Sequence, residues 1–236
     1  MLLNKYVKKQ DTLKEAREAF HLGKYSEALE KYDNFFEESF KNTAKYGVRL
    51  SYCLSEWVEL GNVYPKALKR LEKKRDNALI LLEEEREPER FHDFIAICES
   101  LESPELPRKE FLLLHAKDRA LSTEVVRFIW DELIKFQEWK VCISYLPNPL
   151  EKYESYLSNL DIIIKMYVSE DSTPFEKEIT GQALSRYIRN ATNILLVLKQ
   201  NNKMEDAILI RKRISSDLES RSLSKLEISI DKLIDI

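Results

Sequence analysis

The chain has 236 residues, a formal net charge of −3, 44% hydrophobic residues and 33% charged residues. That balance supports a sizeable core and excludes a disordered chain, and the near-neutral charge argues against a dedicated nucleic-acid binder. Only four glycines are present, Gly23, Gly47, Gly61 and Gly181, too few for a β-rich fold of tight turns or for glycine-lined phosphate loops.

Apolar residues recur with the helical period and prolines fall between the periodic segments, so the expected fold class is all-α. Helices are predicted over 4–22, 25–41, 44–60, 64–86, 89–101, 107–117, 121–136, 138–146, 149–168, 175–200 and 203–220, with a last short helix over 223–234. The first two form a hairpin. Ala16, Ala19 and Ala28 are small enough for close helix approach, Gly23 supplies a left-handed turn, and Tyr25 and Tyr32 fill the space against the alanines.

The same turn recurs in weaker form. Gly61 with Pro65 and Ala67 repeats it, as do Phe136–Cys142, where Trp139 stands at the Tyr25 position and Cys142 at the Ala28 position, and Asn201–Ile208, where Asn202 stands at the Gly23 position. A more diverged turn is expected at Leu101–Pro107, and the most exposed connection at 169–174. No low-complexity linker divides the chain. One domain over 1–236 is therefore expected, with a main array over about 1–168 and a C-terminal hairpin over about 175–220.

The stretch 16–32 resembles the tetratricopeptide repeat (TPR) in its small residues Ala16, Ala19 and Ala28, its turn Gly23, and its aromatics Tyr25 and Tyr32. Phe35 and Phe40 depart from that pattern, which prefers Ala and Pro there. Segments around Arg49–Leu60, Phe91–Asp93 and Tyr145–Pro149 also look like a group of uncharacterised bacterial TPR-like proteins. The resemblance implies an α-solenoid of helical hairpins forming a right-handed superhelix, a fold that binds protein segments on its concave face.

Motifs for chemistry are missing. No phosphate loop, dinucleotide fingerprint, nucleophile elbow or HExxH is present, so no cofactor, metal or catalytic residue is assigned. His92–Asp93 is the only adjacent His–carboxylate pair, and neighbours on a helix do not face each other. The acidic run 83–89 reads as a solvated helix end. The basic stripe Lys66, Lys69, Arg70, Lys73, Lys74 and Arg75 is partly neutralised by Glu72 and Asp76, and nucleic acid is not an expected partner. Cys53, Cys98 and Cys142 sit in apolar patterns as buried free thiols, which fits a cytoplasmic location. No run reaches the roughly 18 apolar residues of a membrane span.

The expected function is therefore a protein-interaction or scaffold module whose concave face receives a peptide or protein segment. Counting from the turns places Arg17 and His21, Ser51, Ser55 and Glu59, His92 and Glu99, and Arg127, Asp131 and Lys135 on that face, with Arg49 at its border. The alternative is an enzyme or nucleotide sensor with a site built from His92, Arg127 and Asp131.

Overall fold

The computed structural model describes residues 12–169, 171–221 and 223, and no strand occurs among them. The helices are α1 (Thr12–His21), α2 (Tyr25–Glu38), α3 (Thr43–Val48), α4 (Leu54–Val63), α5 (Lys66–Glu85), α6 (Glu89–Ser100), α7 (Leu106–Lys117), α8 (Arg119–Val125), α9 (Trp130–Lys135), α10 (Trp139–Ser144), α11 (Pro149–Tyr167), α12 (Pro174–Gln200) and α13 (Met204–Ser220). A π-helical turn, Arg49–Cys53, carries α3 into α4, and a 3-10 turn, Val126–Phe128, follows α8. The start of the expected first helix and the expected helix over 223–234 lie outside the described residues.

Four of the turns share one device. Gly23 has φ +72°, and Glu102, Gln137 and Asn202 have φ +54°, +58° and +58°. The residue after each donates its backbone N–H to the carbonyl five residues back: Lys24 to Ala19, Ser103 to Cys98, Glu138 to Leu133 and Lys203 to Leu198, all at 2.9 Å. This is the left-handed helix cap that satisfies carbonyls left over at a helix end. Ala16, Ala19 and Ala28 are buried at the first hairpin, and Tyr25 packs between Phe20 and Tyr64 at ring-centroid distances of 6.0 and 6.3 Å.

Gly61 departs from expectation. It lies inside α4, and the turn follows at Tyr64–Pro65. Its role is close approach: a Cβ there would stand 2.4 Å from Cγ of Leu68 on α5. The expected helix over 121–136 is also interrupted, with Ile129 at φ −123°, ψ 4° between the 3-10 turn and α9. Val125, Val126, Phe128 and Ile129 crowd that stretch. Their branched and aromatic side chains lose χ1 freedom in a helix, which weakens it without any Gly or Pro.

The chain divides at this point into two compact units, Met1–Ile129 and Trp130–Ile236. The connection at 169–174 falls inside the second. In the first unit Trp57 is fully buried, meets Phe36 edge-on at 6.3 Å and donates its indole N–H to the Ala67 carbonyl at 3.0 Å, binding α4 to α2 and α5. In the second, α11 and α12 form a long hairpin with α13 packed on it. Cys53, Cys98 and Cys142 are free and buried, and burial pushes each thiol up to about 12. No helix among the described residues is long and apolar enough to cross a membrane.

Two glycine substitutions should separate packing from propensity. Gly61→Ala forces Leu68 to move and is expected to destabilise the protein by about 1–3 kcal/mol. Gly47→Ala meets nothing within 4 Å and should be neutral or stabilising by up to about 1 kcal/mol through helix propensity. Urea unfolding midpoints of the two variants check this. Ala28→Leu, at a fully buried contact, should also lower the midpoint, by about 1–3 kcal/mol.

Candidate functional site

Most of the charged residues marked by the sequence are engaged within the protein. Arg17 grips the Glu56 carboxylate through Nε at 3.1 and 3.0 Å and Nη2 at 2.7 Å. Arg127 pairs with Glu89 at 2.9 Å and lies 4.6 Å from the Phe128 ring centroid. Lys135 pairs with Glu132 at 3.1 Å. His21, Ser51, Ser55, Glu59 and Glu99 are exposed, and Ser51 donates its hydroxyl to the Gly47 carbonyl at 2.7 Å.

Arg49 is not a surface residue. It is fully buried; two of its N–H groups meet the two carboxylate oxygens of Asp93, one at 2.7 Å, and Nε donates to the Phe36 carbonyl at 2.6 Å. Its guanidinium lies 3.7 Å from the Phe36 ring centroid. The expectation failed because the count ran back from Gly61, which is not the turn, and crossed the π-helical turn. One extra residue there rotates the preceding positions by about 100°. Arg49 therefore fastens the π turn to α2 and α6 and is unavailable to a ligand.

His92 is half-buried beside this pair. Its Nδ1 is 3.1 Å from the Tyr46 hydroxyl, and its ring stacks on Phe128 at 4.7 Å. Burial holds the imidazole below its ordinary 6.5, outweighing Asp93 and Glu89; burial pushes the Tyr46 hydroxyl up to about 12. Asp131 belongs to the second unit, where it pairs with Arg189 at 3.2 Å and accepts from Asn193 at 3.1 Å. His92, Arg127 and Asp131 are thus each held by neighbours in their own units.

The charge runs are engaged as well. Arg70 and Lys74 each reach Asp33 at 2.6 Å, and Arg75 pairs with Asp76 at 2.7 Å. Glu83 meets Lys117 at 2.8 Å, Glu85 meets Arg90 at 3.1 Å and Glu87 meets Lys41 at 3.0 Å. Exposed pairs of this kind each contribute little stability, but they engage Arg70, Lys74 and Arg75 of the basic stripe and Glu83, Glu85 and Glu87 of the acidic run.

The second unit holds a different kind of surface. A cleft of about 350 Å³ opens between α11 and α12. Leu160, Ile163, Ala183 and the Tyr187 ring supply its apolar part, and Asn159, Arg186 and Asn190 its polar part. These last three make no hydrogen bond or ion pair with any described residue. Ile162 and Met166 extend the apolar surface and are 54% and 63% exposed. On the other flank of α12, Ile188, Thr192 and Leu196 line a hollow of about 450 Å³. The Thr192 hydroxyl there is buried without a partner, a costly state for a polar group.

The floor of the cleft is fixed from beneath. The Tyr187 hydroxyl is 3.0 Å from that of Tyr153, which donates to Asp217 at 3.1 Å. Asp217 also meets Arg213 at 3.0 Å, and Arg221 clamps Asp161 through two N–H groups at 2.7 Å. These bonds join α11, α12 and α13 under the apolar surface.

The sequence reading missed this cleft, although a signal was present. Arg186 and Asn190 are spaced i, i+4, which places them on one face of α12, whereas Arg189 and Asn193 line the hollow on its other flank. From Ile179 to Gln200 that helix has no Asp or Glu.

Comparison with protein-family models, with curated proteins and with solved structures found no match.

Truncating one partner of the buried pair should be severe. Arg49→Ala is expected to cost about 3–5 kcal/mol, because Asp93 is left charged and unpaired in the interior. Arg49→Met combined with Asp93→Leu should cost less; urea midpoints of the three proteins check the order. His92 sets a pH dependence. Its folded-state pKa is depressed, so its contribution is present above the unfolded value of about 6.5 and lost as pH falls through the folded value. His92→Phe keeps the ring stack on Phe128. It should reduce the loss of stability between about pH 7 and pH 5, read from denaturation midpoints at the two pH values.

Proposed function

We propose that the protein is a binding module that receives a peptide or protein segment in the α11–α12 cleft, and that its hairpins are TPR-like units of an α-solenoid. One observation carries the binding reading: an apolar floor held from beneath is rimmed by Asn159, Arg186 and Asn190, which make no hydrogen bond or ion pair with any described residue. Polar groups left open around an apolar hollow are the ordinary form of a recognition surface. The recurring left-handed caps support the hairpin-repeat reading. Three free, buried thiols support a reducing, cytoplasmic setting.

The site differs from the one expected along Arg17, Arg49 and Arg127, whose charges are held by Glu56, Asp93 and Glu89. Selection of displayed random peptides on the purified protein should yield binders. Ala183→Trp fills the cleft from a half-buried position on α12 and should weaken those binders at least about tenfold, a loss of about 1.4 kcal/mol. Arg17→Ala and Arg127→Ala should leave them unchanged. Binders indifferent to Ala183→Trp, with the melting temperature unaltered, would place binding elsewhere.

A further inference from the structure

We infer that the segment received by the α11–α12 cleft is acidic and extended, with a carboxylate side chain on Arg186, its backbone on Asn190 and an apolar side chain on the floor. The inference rests on the binding reading above and adds the chemistry of the partner.

Charge is the first support. Among the described residues no Asp or Glu lines the cleft, and Arg186 is an exposed guanidinium without an ion pair to any of them. Lys152, one turn before Tyr156, adds a second cation, with its ammonium 5.2 Å from the Tyr156 ring centroid. The nearby acids are held elsewhere: Asp161 by Arg221, and Asp131 by Arg189 and Asn193. A free guanidinium in an acid-free cleft pairs best with a carboxylate, which it can grip through two parallel N–H groups.

Spacing is the second support. An asparagine amide offers a donor and an acceptor side by side, matching the N–H and C=O of a peptide unit. Arg186 and Asn190 are four residues apart on α12, a rise of about 6 Å. An extended chain repeats the same side every two residues, about 6.6 Å. A strand laid along α12 therefore meets Arg186 and Asn190 with equivalent positions two residues apart. Asn159, across the cleft on α11, faces that strand from the other side.

The floor is the third support. Leu160, Ile163 and Tyr187 provide an apolar seat, and the Tyr187–Tyr153–Asp217 bonds keep its Tyr187 wall in place before anything binds. A partner then gains its apolar contact without first ordering the site. An acidic residue alternating with a bulky apolar one would place the first on the rim and the second on the floor.

The test uses the full chain and a library of displayed random peptides about twelve residues long. The expected result is enrichment of peptides that carry Asp or Glu next to a large apolar residue. Replacing those acids by Asn or Gln should weaken binding about tenfold or more, and raising the salt concentration should weaken it further. Arg186→Glu should invert the preference towards Lys- and Arg-bearing peptides, and Asn190→Leu should weaken acidic binders with the melting temperature unchanged. Peptides that bind, are lost in Ala183→Trp, yet show no acidic excess and ignore Arg186→Glu would overturn the inference and leave the binding reading standing. Absence of any enriched peptide, or binders unaffected by Ala183→Trp, would overturn both.

Discussion

Four of the turns between helices in this protein depend on one residue held at positive φ. Gly23 takes that backbone freely, but Glu102, Gln137 and Asn202 carry side chains that oppose it. The strain is offset because the cap returns a hydrogen bond from the next residue to the carbonyl five positions back, at 2.9 Å in all four cases. That bond stops one helix and aims the next, so small residues such as Ala28 and Ala207 meet the preceding helix fully buried. Side-chain identity at the turn is secondary to backbone geometry, which is why the motif survives with Glu or Gln where the first hairpin has Gly.

The two units treat charge differently. In the first, cations and carboxylates from different helices find each other: Arg17 with Glu56, Arg70 and Lys74 with Asp33, Arg127 with Glu89. One pair, Arg49 with Asp93, is carried fully inside, where bidentate geometry and the Phe36 carbonyl compensate desolvation. In the second unit Asp161, Asp217, Asp131 and Glu132 hold cations of their own. The α11–α12 cleft keeps Arg186 and two asparagine amides unengaged by any described residue. A surface whose charges are mutually satisfied has little to offer a partner, whereas one with open donors beside apolar area does.

Helix positions were legible in the sequence because apolar periodicity and proline placement both report on local backbone. The α2, α5, α6, α7, α11, α12 and α13 boundaries fall within a few residues of those read from the chain. What was not legible depended on register and partner. Gly61 looks like a turn glycine, but whether a helical glycine marks a turn or a close contact is decided by Leu68, seven residues on. The π turn at Arg49–Cys53 leaves no compositional trace, and it moves Arg49 from the expected border of a groove into the core. The break at Ile129 was written as a cluster of branched and aromatic residues, a weaker mark than Gly or Pro. The cleft was readable only as a spacing, Arg186–Asn190 on a stretch of α12 without Asp or Glu, and spacing alone cannot distinguish a recognition face from a solvated one. The lack of partners decides that, and only the fold reveals it.

The same contrast argues for recognition over chemistry. Catalysis requires ionisable groups held close to one another with shifted proton affinities and access to a substrate. His92 has a shifted affinity, but it is stacked on Phe128 and bonded to Tyr46, and the neighbouring Asp93 is occupied by Arg49. Tyr153 and Tyr187 have raised affinities because they are buried together over Asp217. Their hydroxyls point into a bonded network beneath the cleft, and only the Tyr187 ring lines it. The perturbed groups therefore serve as supports, and the groups left open to solvent are amides and a guanidinium. Such groups hold a ligand by hydrogen bonds and charge.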